Sequence, residues 1–310
     1  MRRSLLQGFL IFFTGAIFLS TKAILVKLAL RSVHTDGVTL LALRMLTSLP
    51  FYAVTAVLIT RQEQNVRMTR RQWVWIIVLG LLGYYLSGLF DFLGLQYISA
   101  GLERLILFLY PSFSVVINAV AFRQRITRAQ YLALVLTYTG IAIAYFGELR
   151  IDTGNPHFFW GSLLVFGCAV TYAAYLSGMG RVVPSVGASK FTSYSMLAAI
   201  PAVLTHYFVK QASAGAPLLP AGPDAETLWG YGLALALIAT VIPSYLISFG
   251  MKRIGPNNAA IIASVGPVST IVQAHFFLGE PFFAEQIIGT VLVIAGVLLV
   301  GWKGTNYSRV

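Results

Sequence analysis

Charge is what this sequence most lacks. Only 10% of its 310 residues are Asp, Glu, Lys or Arg, and just 10 are acidic, where a water-soluble domain carries about a quarter charged residues. A chain so poor in charge finds its natural solvent in a bilayer. Cysteine is nearly absent too: Cys168 stands alone, which excludes a disulfide framework or a thiolate metal cluster within one chain and suits a small buried apolar residue. The sequence has no HExxH, no GxSxG, no nucleotide-binding loop, no clustered metal ligands and no TVGYG filter. Metalloprotease, serine hydrolase, nucleotide-driven pump and potassium-type channel chemistry therefore have no support. No catalytic residue, metal or cofactor is expected.

Apolar residues, by contrast, make up 57% of the chain and come in long, near-continuous runs. At roughly 20 apolar residues per spanning helix, they predict helices near 5–30, 37–59, 73–96, 100–122, 129–147, 159–180, 189–210, 228–250, 257–279 and 284–302. Arg2 and Arg3 ahead of the first run imitate a secretory signal. Against that, no small-x-small cleavage site follows, and the run has an internal copy.

The net charge of +12 could mark a nucleic-acid binder, but the basic residues cluster between apolar runs. With the N-terminus inside, inner segments hold 15 of the 22 Lys and Arg residues, including Arg61, Arg67, Arg70, Arg71, Arg123, Arg125, Arg128 and Arg309. Outer segments hold Lys27, Arg31, Arg150 and Lys210, while Lys22, Arg44 and Arg104 fall inside spans. Positive loops stay cytoplasmic, so both termini are predicted inside, in the inner (plasma) membrane. Lipids are the expected surroundings, and nucleic acid is not an expected partner.

Sliding the chain by 156 residues aligns Trp73 with Trp229, Gly94 with Gly250, Ile98 with Ile254, Pro111 with Pro267, Val116 with Val272 and Gly140 with Gly296. A slightly smaller shift aligns the run from Gly8 with that from Gly161. The expected fold is thus an all-α membrane protein of ten transmembrane helices in two five-helix repeats, 1–150 and 151–310. An odd number of spans per copy inverts the second. The charges agree: Arg123, Arg125 and Arg128 follow helix 4, whereas Glu280 and Glu285 follow helix 9. Inverted repeats are a transporter signature.

Ten helices in a five-helix duplication, the FLYPSF segment at 108–113, and SVGPVSTIV followed by FLGE resemble the EamA-like branch of the drug/metabolite transporter superfamily. The resemblance covers essentially the whole chain. It implies helices 5 and 10 as a peripheral pair, the other eight around a substrate cavity, and export of amino acids or other small metabolites.

Ionisable residues inside spans are expensive and default to functional hypotheses. Here they are Lys22, Arg44, Asp91, Glu103 and Arg104, all in the outer half of the bilayer, with His206 and His275 at similar depth in the second repeat. Glu103, Leu107, Tyr110 and Ser114 share one face of helix 4, and Tyr84, Ser87 or Gly88, and Asp91 form a similar line on helix 3. These lines could converge on a cavity of both charge signs, suited to a zwitterion, with Glu103 alternating between protonated and substrate-paired states. Lys22 and Arg104 could instead snorkel outward with the acids merely pairing with them. His275 is a candidate proton relay. Pro111 and Pro267, mid-helix and repeat-related, each free a carbonyl and are candidate hinges or fixed kinks. Glu280 is expected to stabilise the fold.

The function read from these features is a secondary transporter, an exporter of a small polar metabolite such as an amino acid, working by alternating access. Protons are a candidate coupling ion, and the protein is a monomer or homodimer. The alternative is an intramembrane enzyme acting on a lipid or small amphiphile.

Overall fold

The computed structural model describes residues 2–60, 67–123, 126–151 and 154–303. Arg61, Arg125 and Arg309, used above to orient the chain, lie outside the described residues. Everything regular among the described residues is helical. The helices are α1 (Arg2–Ser32), α2 (Gly37–Thr60), α3 (Arg70–Gly94), α4 (Ala100–Leu107 and Tyr110–Phe122) and α5 (Arg128–Ile151). They continue with α6 (Phe158–Val186), α7 (Ala188–Ser213), α8 (225–263), α9 (Val265–Leu278) and α10 (Ala284–Lys303). Seven are long and apolar enough to cross a membrane: the spans within α1 to α6, and Ala225–Ile247 of α8. Val265–Leu278 and Ala284–Leu299 are shorter apolar helices. The chain is thus a multi-pass membrane protein.

Its surface is inverted relative to a soluble protein. Val120 is 78% exposed and Phe276 76%, whereas Arg44, Asp91, Glu103 and Arg104 are buried. Apolar rings on the outside and guanidinium groups on the inside make sense only when hydrocarbon replaces water around the protein.

Local chemistry starts the helices where expected. Thr69 and Gln72 form a reciprocal capping box at α3, the Gln72 side chain accepting from Thr69 N at 2.8 Å. Thr127 and Gln130 repeat the device at α5, at 2.9 Å. At α4 the cap is heavier. Ser99 Oγ accepts from Leu102 N, while Glu148 of α5 accepts from Ser99 N and Ser99 Oγ. Glu280, from the loop after α9, accepts from Ala100 N at 3.0 Å and Gly101 N at 3.3 Å. Two carboxylates thus sit where the helix dipole and the orphan N–H groups favour negative charge. The glutamate of FLGE thereby joins the two halves of the chain.

The 156-residue register reappears in the backbone. α3 carries a π-helical stretch at Leu81–Leu86 and α8 one at Leu237–Val241. α4 breaks at Phe108 and Leu109, and the second half breaks at Ser264. This corrects one expectation: the prolines are not mid-helix. Pro111 is the second residue of the segment that restarts at Tyr110, and Pro267 the third of the one starting at Val265. Proline offers no N–H to the carbonyl four residues back and its ring crowds that carbonyl, so the α-helical pattern is interrupted there and restarts.

Contacts along α1 give the direction of α8 and α9. Gly8 abuts Arg253 and Ile254, Gly15 abuts Leu246 and Ile247, and Ser32 Oγ lies 3.1 Å from Tyr231 Oη, so α8 runs antiparallel to α1. Ser20 Oγ donates to Gly266 O and Arg31 Nη1 to Leu278 O, so α9 runs parallel to it. The chain turns back between Ile254 and Gly266. α5 and α10 pack against each other through glycine: a Cβ at Gly140 would sit 2.7 Å from Gly289 O, and one at Gly289 would sit 2.5 Å from Gly140 O. Such close backbone approach is how helices associate without a hydrophobic drive between them.

Candidate functional site

A cavity of about 360 Å³ lies between the two halves. Its wall draws on α1 to α4 and on α6, α7 and α8; among the described residues none of its lining comes from α5 or α10, the pair the resemblance places at the periphery. Five lining positions of α3 and α4 have lining partners 156 residues on: Gly83 and Ala239, Tyr84 and Thr240, Gly88 and Ser244, Asp91 and Ile247, Leu107 and Ala263. The first two pairs belong to the π-helical stretches, whose extra residue per turn widens the helix and recurs at functional sites.

Of the residues singled out from the sequence, Lys22, Arg44, Tyr84, Asp91, Arg104 and Tyr110 line this cavity. Lys22 Nζ lies 2.5 Å from Asp91 Oδ2 and 3.4 Å from Glu103 Oε1. One ammonium therefore holds two carboxylates, and each acid keeps a second oxygen, Asp91 Oδ1 and Glu103 Oε2, with no hydrogen-bond partner among the described residues. Lys22 turns inward to its acids instead of reaching for the outer interface. Arg104 does not pair with Glu103. It lies over the Phe108 ring at 5.6 Å and against Gly266, where an added Cβ would sit 2.7 Å from Arg104 Nη2. Arg44 lies over Phe92 at 4.8 Å.

The structure separates other candidates from this group. Glu103 is fully buried behind Lys22 and is not part of the cavity wall. The break at Phe108 and Leu109 interrupts the expected polar face of α4. Tyr110 still reaches the cavity, while Ser114 Oγ points to Ala173 O of α6 at 3.5 Å and serves packing. His275 Nδ1 contacts Glu280 O at 2.9 Å and its ring stacks on Phe282 at 4.2 Å, so it fixes the loop that delivers Glu280 and stands apart from the cavity. Pro267 is buried and also outside the wall.

Several lining residues were not anticipated. Tyr52, Tyr172, Thr192, Thr240 and Ser244 all face the cavity. Cys168, buried as expected, lines it too and lies 3.2 Å from Ser87 Oγ. Thr240 and Ser244 were within reach, because the 156-residue shift carries Tyr84 and Gly88 onto them. Tyr172 and Thr192 carry no such mark.

On α1 the lining stops at Lys22. Beyond it the ends of the helices are tied together: Lys210 Nζ lies 2.5 Å from Asp36 Oδ2, Arg31 donates to Leu278 O, and Ser32 meets Tyr231. Burial pushes the Asp36 carboxyl up, but the hydrogen bond and charge of Lys210 outweigh it and hold this loop carboxyl below its ordinary value.

The family model for the EamA-like transporter family matches residues 6–146 and again residues 159–302. The chain is 31% identical over 211 residues to the uncharacterized transporter YcbK of Bacillus subtilis, an alignment covering 68% of this chain and 66% of that protein. It is 21% identical to the WAT1-related protein At5g07050 of Arabidopsis thaliana, over 79% of this chain and 68% of the relative. The matched region thus spans about two thirds of each relative's length. A protein crystal structure 20% identical in sequence superposes with a TM-score of 0.62 over 97% of both chains, which speaks for the fold alone.

Proposed function

Because this chain belongs to the EamA-like transporter family and is a membrane transporter, we propose that it exports a small polar metabolite by alternating access around the cavity between its halves. The observation that carries this reading is the cavity wall itself: repeat-related positions on α3 and α8 line one charged pocket. In this reading the chain makes ten spans in two inverted repeats, 1–150 and 151–310, with both termini cytoplasmic in the inner membrane. Two inverted halves exchange conformations around one site. The tied ends of α1, α7 and α9 are then the outer gate, and the solute loads from the cytoplasm. The restarts at Pro111 and Pro267 are the points where each half flexes. Lys22, Asp91 and Glu103 form the coupling element: one cation faces two acids, so a single proton brings the trio to neutrality.

Counterflow decides it. Purified protein in proteoliposomes preloaded with a metabolite extract should accumulate one labelled solute saturably and leave it chemically unchanged. A chemically altered solute would point to an enzyme, and uptake without saturation to a channel; either overturns the proposal.

A further inference from the structure

The cavity holds more positive charge than its acids account for. Lys22, Arg44 and Arg104 line it with one acid, Asp91; a second, Glu103, lies behind Lys22, and both acids turn to Lys22. Arg44 and Arg104 are each only 8% exposed and line the cavity; among the described residues neither forms an ion pair and the Nε of each has no hydrogen-bond partner. A buried charge left uncompensated is costly. Guanidinium groups are built to take a carboxylate on two parallel N–H groups. Arg44 Cζ lies 4.8 Å from the Phe92 ring centroid and Arg104 Cζ 5.6 Å from that of Phe108, cation–π contacts that use up none of the N–H donors a ligand would need.

Counting charge selects the solute. With all five groups ionised, an anion of single charge makes the set neutral, whereas a zwitterion leaves it positive and a cation makes it worse. Among the described lining residues the second half supplies no acid, and the repeat partners of Arg44 and Arg104 are Ile200 and Ala260. The volume of about 360 Å³ sits at the small end of the usual ligand-pocket range of about 300–1,000 Å³. Tyr52, Tyr84, Tyr110 and Tyr172 surround it with ring surface and phenol groups. Resting on the transporter reading above, we infer that the solute is a small organic acid, bound as its anion through a carboxylate by Arg44 and Arg104. This departs from the zwitterion that the mixed charges suggest in the sequence, because Lys22 already occupies the acids that would hold an ammonium.

The test uses the purified full-length protein in neutral detergent and a panel of aliphatic and aromatic carboxylates, each beside its neutral amide, its amine and the corresponding amino acid. Carboxylates should raise the unfolding temperature while amides and amines do not, and Arg44→Gln and Arg104→Gln should each weaken the apparent affinity about tenfold or more. Should the Gln variants not fold, Arg44→Lys and Arg104→Lys keep the charge and lose the fork, and should bind more weakly than the parent. Equal stabilisation by amides or amino acids, or unchanged carboxylate affinity in the arginine variants, overturns the inference. Counterflow of the bound probe separates it from the transporter reading: a carboxylate that binds but never exchanges defeats the transporter and leaves the anion site. Exchange of amines or amino acids that ignores carboxylates does the reverse.

Discussion

The two halves of this protein share a scaffold and differ in chemistry. Two of their π-helical stretches, the helix breaks and five pairs of cavity positions keep one register, yet among the described residues every charged lining residue comes from the first half. Asp91 faces the cavity where its counterpart is Ile247, and the counterpart of Lys22 is Tyr175. In the alternating access proposed above both halves flex, so the geometry that permits movement is needed twice, whereas the groups that select a solute are needed only once. On that proposal the divergence separates what moves from what binds.

The comparison is broken or sharpened most severely at Lys22. Lys22→Met leaves two buried acids without their cation and should cost about 3–5 kcal/mol, read as loss of folded protein in a detergent melt. Tyr175→Phe, at the equivalent place, removes only the 2.9 Å bond to Tyr84 Oη and should cost about 1 kcal/mol. Equal effects would refute the claim that the charge chemistry is one-sided.

Asp91→Asn removes the acid 2.5 Å from Lys22 and should reduce flux about a hundredfold, the rate equivalent of about 3 kcal/mol. Moving the acid across the repeat, in Asp91→Ile with Ile247→Asp, should not rescue it, since Tyr175 offers no ammonium there. Glu103→Gln, behind the wall, should keep part of the rate and lose its pH dependence. A Gln variant with both unchanged would reduce Glu103 to a packing residue.

The prolines should behave alike, as scaffold elements do. Pro111→Ala and Pro267→Ala should each slow turnover several-fold in protein that melts within about 1 kcal/mol of the parent, because each restores one backbone N–H next to a helix restart. Unequal effects would mean that only one half flexes.

At the α4 N-terminus, Glu280→Ala and Glu148→Ala should each lower stability by about 1–2 kcal/mol, as loss of a helix cap does. Reporting from either half, they should have similar effects; a melt unchanged in Glu280→Ala would remove its role in joining the halves.

The smallest effect belongs to the pair at the tied ends. Asp36 and Lys210 are more than a third exposed, so Lys210→Gln should cost no more than about 1 kcal/mol. The Asp36 carboxyl titrates below its ordinary value, so the pair's contribution is complete above that ordinary value and lost only as pH falls through the lowered one. Stability measured between neutral pH and pH 5 should not register the pair, and a loss in that window would contradict it.

Much of this architecture is legible in the sequence because hydrophobic runs and glycine spacing are local facts. Ala225–Ile247 must find hydrocarbon whatever its neighbours are, and Gly140 and Gly296 announce a close helix contact before its partner is known. The candidate site was legible in kind: Lys22, Arg44, Asp91 and Arg104 stand out because ionisable groups in spans are rare. Their pairing was not, because Asp91 and Glu103 lie 69 and 81 residues from Lys22 and nothing in the periodicity of α1, α3 or α4 says which helices touch. Ser114 falls outside the cavity wall for a nearer reason: the break before Pro111 changes the helix phase, so spacings of three and four no longer mark one face.

The sequence alone determined that this chain lives in a membrane, that it is internally doubled, and that five ionisable groups are hidden in its spans, since these follow from composition, register and hydropathy along the chain. Only the tertiary structure decided that Lys22 takes both acids and leaves Arg44 and Arg104 unmatched. Charge balance depends on distances of a few ångströms between separate helices, and packing alone sets those distances.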